Sequence, residues 1–98
     1  MQVNSINGIK IYIPMCFQDI YELCQLLHKV TKCVIIDCSS VRILPSHFIS
    51  LAINKNNFIA LIGVSQSAKN IFKSIGVEND VKVYDTISAA LYYFDSGI

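Results

Sequence analysis

The sequence predicts one small α/β domain, with a mainly parallel, mixed sheet of four to five strands and about four helices packed against it. Three observations carry that expectation. Cys33-Val34-Ile35-Ile36 and the stretch from Phe58 to Val64 are unbroken apolar runs rich in β-branched residues, as strands are when both faces are covered. Each run is followed by a segment whose apolar residues recur at helical spacing. The length, 98 residues, suits one domain, since single domains cluster near ~100 to 150 residues.

Taken in order, Val3 to Ile13 alternates about Asn7-Gly8, a dipeptide that favours a tight type I′ turn, and so predicts a hairpin whose second strand is Ile9 to Ile13. Pro14 closes it. From Phe17 onward, Phe17, Ile20, Tyr21, Cys24, Leu27 and His28 fall at helical spacing, with Asp19, Glu22, Gln25 and Lys29 expected on the solvent side. Asp37 marks the polar end of the strand that begins at Cys33. Pro45-Ser46 reads as the start of a second helix, with Pro45 ending the preceding segment and the Ser46 hydroxyl capping free backbone N–H groups. That helix is expected to reach about Ile53. Its polar residues His47, Ser50 and Asn54 form a narrow stripe, so Phe48, Ile49, Leu51, Ala52 and Ile53 leave apolar surface over most of the circumference, part of it expected to stay exposed. After the Phe58 strand, Ser65 or Ser67 caps a third helix with Ala68, Ile71, Phe72 and Ile75 inward, Lys69 and Lys73 outward, and Gly76 as its stop. Val81 to Tyr84 predicts a short strand. Asp85 or Thr86 then caps a last helix that packs Ile87, Ala90, Leu91 and Phe94 inward, with Tyr92-Tyr93-Phe94 read as packing or, alternatively, as an oligomer contact.

Composition narrows the function. Hydrophobic residues make up 53% and charged residues 15%, with a mean hydropathy of +0.48, so much of the chain must be buried. A formal charge of +1 leaves no electrostatic footprint for a nucleic-acid backbone. The first residues lack a basic start followed by an apolar run, and no stretch approaches the ~20 apolar residues needed to span a bilayer, so a cytoplasmic protein without membrane insertion is expected. Cys16, Cys24, Cys33 and Cys38 contain no C-x-x-C pair and sit in apolar segments, as reduced, buried thiols do. His28 and His47 lie at no metal-ligand spacing, so neither a metal nor a cofactor is expected. There is no Gly-rich phosphate loop, carboxylate pair or ligand cluster, and adjacent Ser46 and His47 would not face each other on a helix, so the sequence does not read as an enzyme. Asp37 ends a central strand, where α/β sheets place functional groups, and a loop-capping role fits it equally well.

The segments Val-Ile-Ile-Asp-Cys-Ser-Ser-Val-Arg-Ile-Leu-Pro-Ser-His-Phe, Ile-Phe-Lys-Ser-Ile-Gly-Val and Val-Tyr-Asp-Thr-Ile-Ser-Ala-Ala-Leu resemble a STAS domain, the family of sulphate transporters and anti-sigma-factor antagonists. The likeness covers roughly the last two-thirds of the chain in pattern and the first third only in its order of elements. In the antagonists, an Asp-Ser-Ser/Ala-Gly loop before the second helix carries a serine phosphorylated by an anti-sigma kinase, and phosphate breaks the complex with that kinase. Aligned here, those positions are Pro45, Ser46, His47 and Phe48, and the acidic residue common after the first strand is replaced by Pro14-Met15-Cys16. The resemblance implies a non-enzymatic regulator that binds an anti-sigma factor or serine kinase, with Ser46 as phosphoswitch and Pro45, Ser46, His47, Phe48 and Ser50 as partner-binding residues. Within that set His47 and Phe48 are favoured as interface residues, with Phe48 crowding a kinase's approach to Ser46 and a place in the core as the alternative for Phe48. The alternative it implies is a constitutive scaffold, such as a small subunit on the ATPase of a lipid-transporting ABC system; an oligomer is compatible with either.

Overall fold

Asn7 and Gly8 both take left-handed backbone angles, φ 54° and 80°, the pair a type I′ turn requires. They fold strand β1 (Gln2–Ile6) antiparallel onto β2 (Ile9–Ile13), with Asn4 opposite Ile11. In the computed structural model, which describes residues 1–96, the chain then alternates: α1 (Phe17–Leu27), β3 (Val34–Asp37), α2 (Ser46–Asn54), β4 (Ile59–Ile62), α3 (Gln66–Ser74), β5 (Val83–Tyr84) and α4 (Ile87–Ser96). The five strands lie in sequence order, and every pair after the hairpin is parallel.

Sequential order with right-handed crossovers forces the connecting helices onto one face of the sheet. The larger core cluster shows this. Ile20, Leu23 and Leu27 of α1, Phe48 and Leu51 of α2, and Ala68 and Phe72 of α3 pack on Val34 and Ile36 of β3 and Ile59 and Leu61 of β4. The alternate strand residues Ile35, Ala60 and Ile62, together with Ile11, face the other way and are covered by Ala90 and Phe94 of α4. A period of two thus splits each apolar run between two cores, which is why β3 and β4 read as continuous rather than alternating. Each fully buried Ile, Leu or Phe contributes about 1.5–3 kcal/mol through burial.

Local signals set the helix ends. The Ser65 Oγ accepts from the Ala68 N–H at 3.1 Å, and the Thr86 Oγ1 accepts from the Ala89 N–H at 3.1 Å. At the end of α3, Gly76 stands at φ 76°, with Val77 N–H donating to the Phe72 carbonyl and Gly76 N–H to that of Lys73, which is a Schellman stop.

Two helices sit rotated from the sequence expectation. In α1 the buried stripe is Ile20, Leu23, Cys24 and Leu27, with Asp19 also buried, while Phe17, Tyr21 and His28 are exposed. In α3 only Ala68 and Phe72 are buried; Ile71 and Ile75 face solvent. In α1 the inward apolar residues form a tight i, i+3, i+4, i+7 set and in α3 they reduce to the pair i, i+4, so residues at the edge of each arc stay outside. Tyr92 is likewise exposed, whereas Tyr93 stacks near Tyr84 with ring centroids 5.4 Å apart.

Candidate functional site

With β2 to β5 parallel, the connections leaving β2, β3 and β4 gather at the carboxyl edge of the sheet, the edge where open α/β sheets carry their sites. The β2–α1 connection is anchored by buried Pro14 and by Asp19, which accepts a hydrogen bond from the Met15 N–H at 2.8 Å and pairs with the Met1 ammonium at 3.6 Å. The backbone N–H of Met15 is the main cause that holds the Asp19 carboxyl below its ordinary pKa, opposed by desolvation and aided by the ammonium charge. Asp19 was expected on the solvent side of α1; instead it is the buried clasp of this turn.

The β3–α2 connection is held at both ends. Asp37 Oδ1 accepts from the Ser39 N–H at 3.0 Å and from the Ser39 hydroxyl at 2.6 Å, so of its two expected roles the geometry shows the loop-capping one. The Ser65 hydroxyl donates to the Arg42 carbonyl at 3.0 Å and so ties this loop to the start of α3. Just past the second anchor the side chain of Ile43 projects into solvent at 61% exposure, beside the same hollow as Phe17 at 51%. Together with Cys16, Ser40, Val41 and Arg42 these two residues line a shallow hollow of about 200 Å³. Met15 and Tyr21, 54% and 60% exposed, extend the apolar surface on either side along the chain. At ~100° per residue Phe17 and Tyr21 fall within about 40° of one another on α1, so they share a flank. A larger hollow of about 290 Å³ lies at the opposite edge, near Lys10, Thr31 and Lys32.

The residues singled out from the sequence separate into two groups. Ser46, His47 and Ser50 are exposed and Pro45 is half-buried. Ser46 is the first residue of α2, and the cap position falls on Pro45, whose ring offers no acceptor. The Ser46 hydroxyl therefore stands one place too late to cap the helix, contrary to expectation. Phe48 is fully buried among Val34, Ile36 and Leu61, which corrects its assignment as an interface residue. Two positions past the helix start, its side chain points to the sheet and away from Ser46's solvent side, so it does not crowd that hydroxyl. The apolar remainder of α2 follows it: Ile49, Leu51 and Ala52 are buried and Ile53 is half-buried against the same core. The exposed apolar surface expected on α2 is found instead on Phe17, Tyr21 and Ile43. Sequence reasoning missed them, although the i, i+3, i+4, i+7 set Ile20-Leu23-Cys24-Leu27 would have placed Phe17 and Tyr21 outside it.

The cysteines are free, and only some are buried. Cys16 is exposed in the hollow, against the expectation of a buried thiol. Cys38 is buried, and desolvation, helped by the Asp37 charge, pushes its thiol up to about 12. Burial also raises the thiols of Cys24 and Cys33. His28 and His47, distant in sequence, approach to 3.1 Å between their Nε2 atoms.

No family model matches the chain, and no curated protein matches it in sequence. Solved structures do. The chain is similar to the protein TM1081, solved by NMR, with a TM-score of 0.72 at 16% identity over 96% of this chain and 87% of that one. It is also similar to a chain of the stressosome, described as a signal integration and transduction hub, with a TM-score of 0.64 at 13% identity over 96% of both chains. At such identities the likeness establishes architecture, and that architecture is STAS-like, as the motifs implied. Among the described residues, no helix is long and apolar enough to cross a membrane.

Proposed function

We propose that this chain is a regulatory protein-interaction domain that docks a partner protein on the carboxyl edge of its sheet. The observation that carries this reading is the pair of exposed large apolar side chains, Phe17 and Ile43, that line a hollow beside a loop fastened by Asp37, Ser39 and Ser65, with Met15 and Tyr21 also exposed nearby in the chain. Single exposed apolar residues are ordinary, but Phe17, Val41 and Ile43 lining one hollow with Arg42 and Ser40 have the composition of an interface centre. The structural likeness to the stressosome chain supports the same class of function.

The partner that fits best is an anti-sigma factor or serine kinase, with Ser46, three residues after Ile43, as a phosphoswitch. Ser46 is exposed, its hydroxyl is not spent on capping, and it stands at the amino end of a nine-residue helix. A phosphate there would be stabilised by the free N–H groups and the helix dipole while adding about −1.5 to −2 charge to a largely apolar contact. The test is capture of partners from native lysate with the wild type, Ser46→Asp and Ile43→Asp, identified by mass spectrometry together with phosphate on Ser46. A kinase retained by the wild type and lost by both variants is the expected result. Capture of a transporter ATPase, undiminished by Ser46→Asp, would replace the switch by a constitutive scaffold. Full retention by Ile43→Asp would overturn the assigned face.

A further inference from the structure

A second convergence of chemistry-bearing side chains lies where α1 ends against the start of α2. His28 is the C-cap residue of α1 and His47 the second residue of α2. Both are exposed, their rings stand 5.1 Å apart between centroids with planes tilted by 39°, and their Nε2 atoms are 3.1 Å apart. Two imidazole nitrogens this close either share one proton or turn both lone pairs toward a common cation.

We propose that His28 and His47 form a two-imidazole site for a divalent first-row transition-metal ion, which clamps the end of α1 to the start of α2. The distance fits. Two bonds of ~2.0–2.1 Å, the usual metal–imidazole length, span this separation at an angle of about 100° at the metal, between the octahedral and tetrahedral values. Imidazole nitrogen suits zinc, nickel and copper, whereas magnesium and calcium seek oxygen donors, so the class of ion follows from the donor set. The fold holds the two ligands ready. Lys55, at the far end of α2, donates to the His28 carbonyl at 2.8 Å and to the Val30 carbonyl at 3.3 Å, which ties the end of α1 to α2 independently of the histidine rings. The first turn of α2 is closed by the Ile49 N–H on the Pro45 carbonyl at 3.1 Å.

The site is open. Among the described residues no three His, Cys, Asp or Glu side chains group together as a metal would need for a closed cage, so two protein ligands hold the ion and water fills its other positions. Cys24, one turn before His28, is buried and does not join the set. An ion here would place positive charge beside Ser46, but the proposal stands apart from the docking assignment because it concerns the isolated chain.

The experiment is thermal unfolding of the full chain titrated with nickel chloride up to millimolar concentration, with magnesium as control, for the wild type, His28→Asn and His47→Gln. In parallel, NMR would follow broadening of the imidazole signals by paramagnetic nickel. An ion that binds only the folded chain raises its melting temperature as its concentration passes the dissociation constant. The expected result is a rise in the wild type, none with magnesium, loss of the rise in each variant, and broadening confined to His28, His47 and their neighbours. An equal rise in both variants, or wild-type imidazole signals untouched by nickel, overturns the proposal. Should one variant fold poorly, the other and the wild-type NMR titration still decide it.

Discussion

Asp37 Oδ1 occupies the space that a β-carbon on residue 63 would need: a Cβ built on Gly63 stands 2.8 Å from that oxygen and 3.0 Å from both the Cβ and the backbone nitrogen of Ser39. Gly63 also takes φ 65°, in the left-handed region. The turn leaving β3 and the turn leaving β4 are therefore packed backbone to side chain, and the Asp37–Ser39 capping pair can close only against a residue without a side chain.

Gly63→Ala is accordingly expected to destabilise the domain by about 2 kcal/mol or more, because left-handed backbone costs an L-residue about 1–2 kcal/mol and the clash with Asp37 adds to it. Urea unfolding measures the loss. Combining it with Asp37→Ala should recover part of that loss by removing the oxygen in the way. If the double variant is as unstable as the sum of the two singles, the contact is not the cause.

Phe48→Ala is expected to cost about 3–5 kcal/mol, the range for emptying a buried Phe site. A chain of this length has about 5–15 kcal/mol of stability to lose, so Phe48→Asp, which buries an unpaired charge, should leave it unfolded. Ile43→Asp, at an exposed position, should move the unfolding midpoint little. Circular dichroism of the three variants compares them directly, and a folded Phe48→Asp would return Phe48 to the surface.

The Cys38 thiol couples stability to alkaline pH. Its pKa rises on folding from 9.0 to about 12, so the folded state keeps a proton that the unfolded chain releases. The contribution is fully present below pH 9 and is lost as pH rises toward 12, at about 1.4 kcal/mol per unit within that window. Cys38→Ala should start less stable at neutral pH yet lose less on transfer to about pH 10.5 than the wild type does. Urea midpoints at the two pH values give the comparison, and parallel losses in both proteins would show that other groups carry the alkaline effect.

Much of the fold is legible in the residues themselves, and for a reason that is local. Asn7-Gly8 can accept left-handed angles, Ser65 and Thr86 offer an acceptor one turn before a free N–H, and Gly76 can end a helix where a β-carbon would be strained. These are properties of a few consecutive residues. The runs at Val34 to Ile36 and Ile59 to Ile62 state their own burial, since no strand with one wet face would carry them. Alternation of these elements then leaves few arrangements other than a parallel sheet crossed right-handedly.

Tertiary packing decided the rest. Helical spacing tells which residues of α1 share a side, but the width of the arc that is covered depends on what lies beside it. Phe17 and Tyr21 are exposed because among the described residues no element covers that flank, and Asp19 is buried because the Met15 N–H waits for an acceptor. Likewise Phe48 is core because α2 turns that side onto β3 and β4, although its place beside Ser46 suggested a surface. The approach of His28 to His47, 19 positions apart, could not be read from spacing at all: it exists only because two crossover helices lie side by side on one face of the sheet. Local chemistry chose the elements; the partners each element found in space chose which side chains became core, clasp, surface and site.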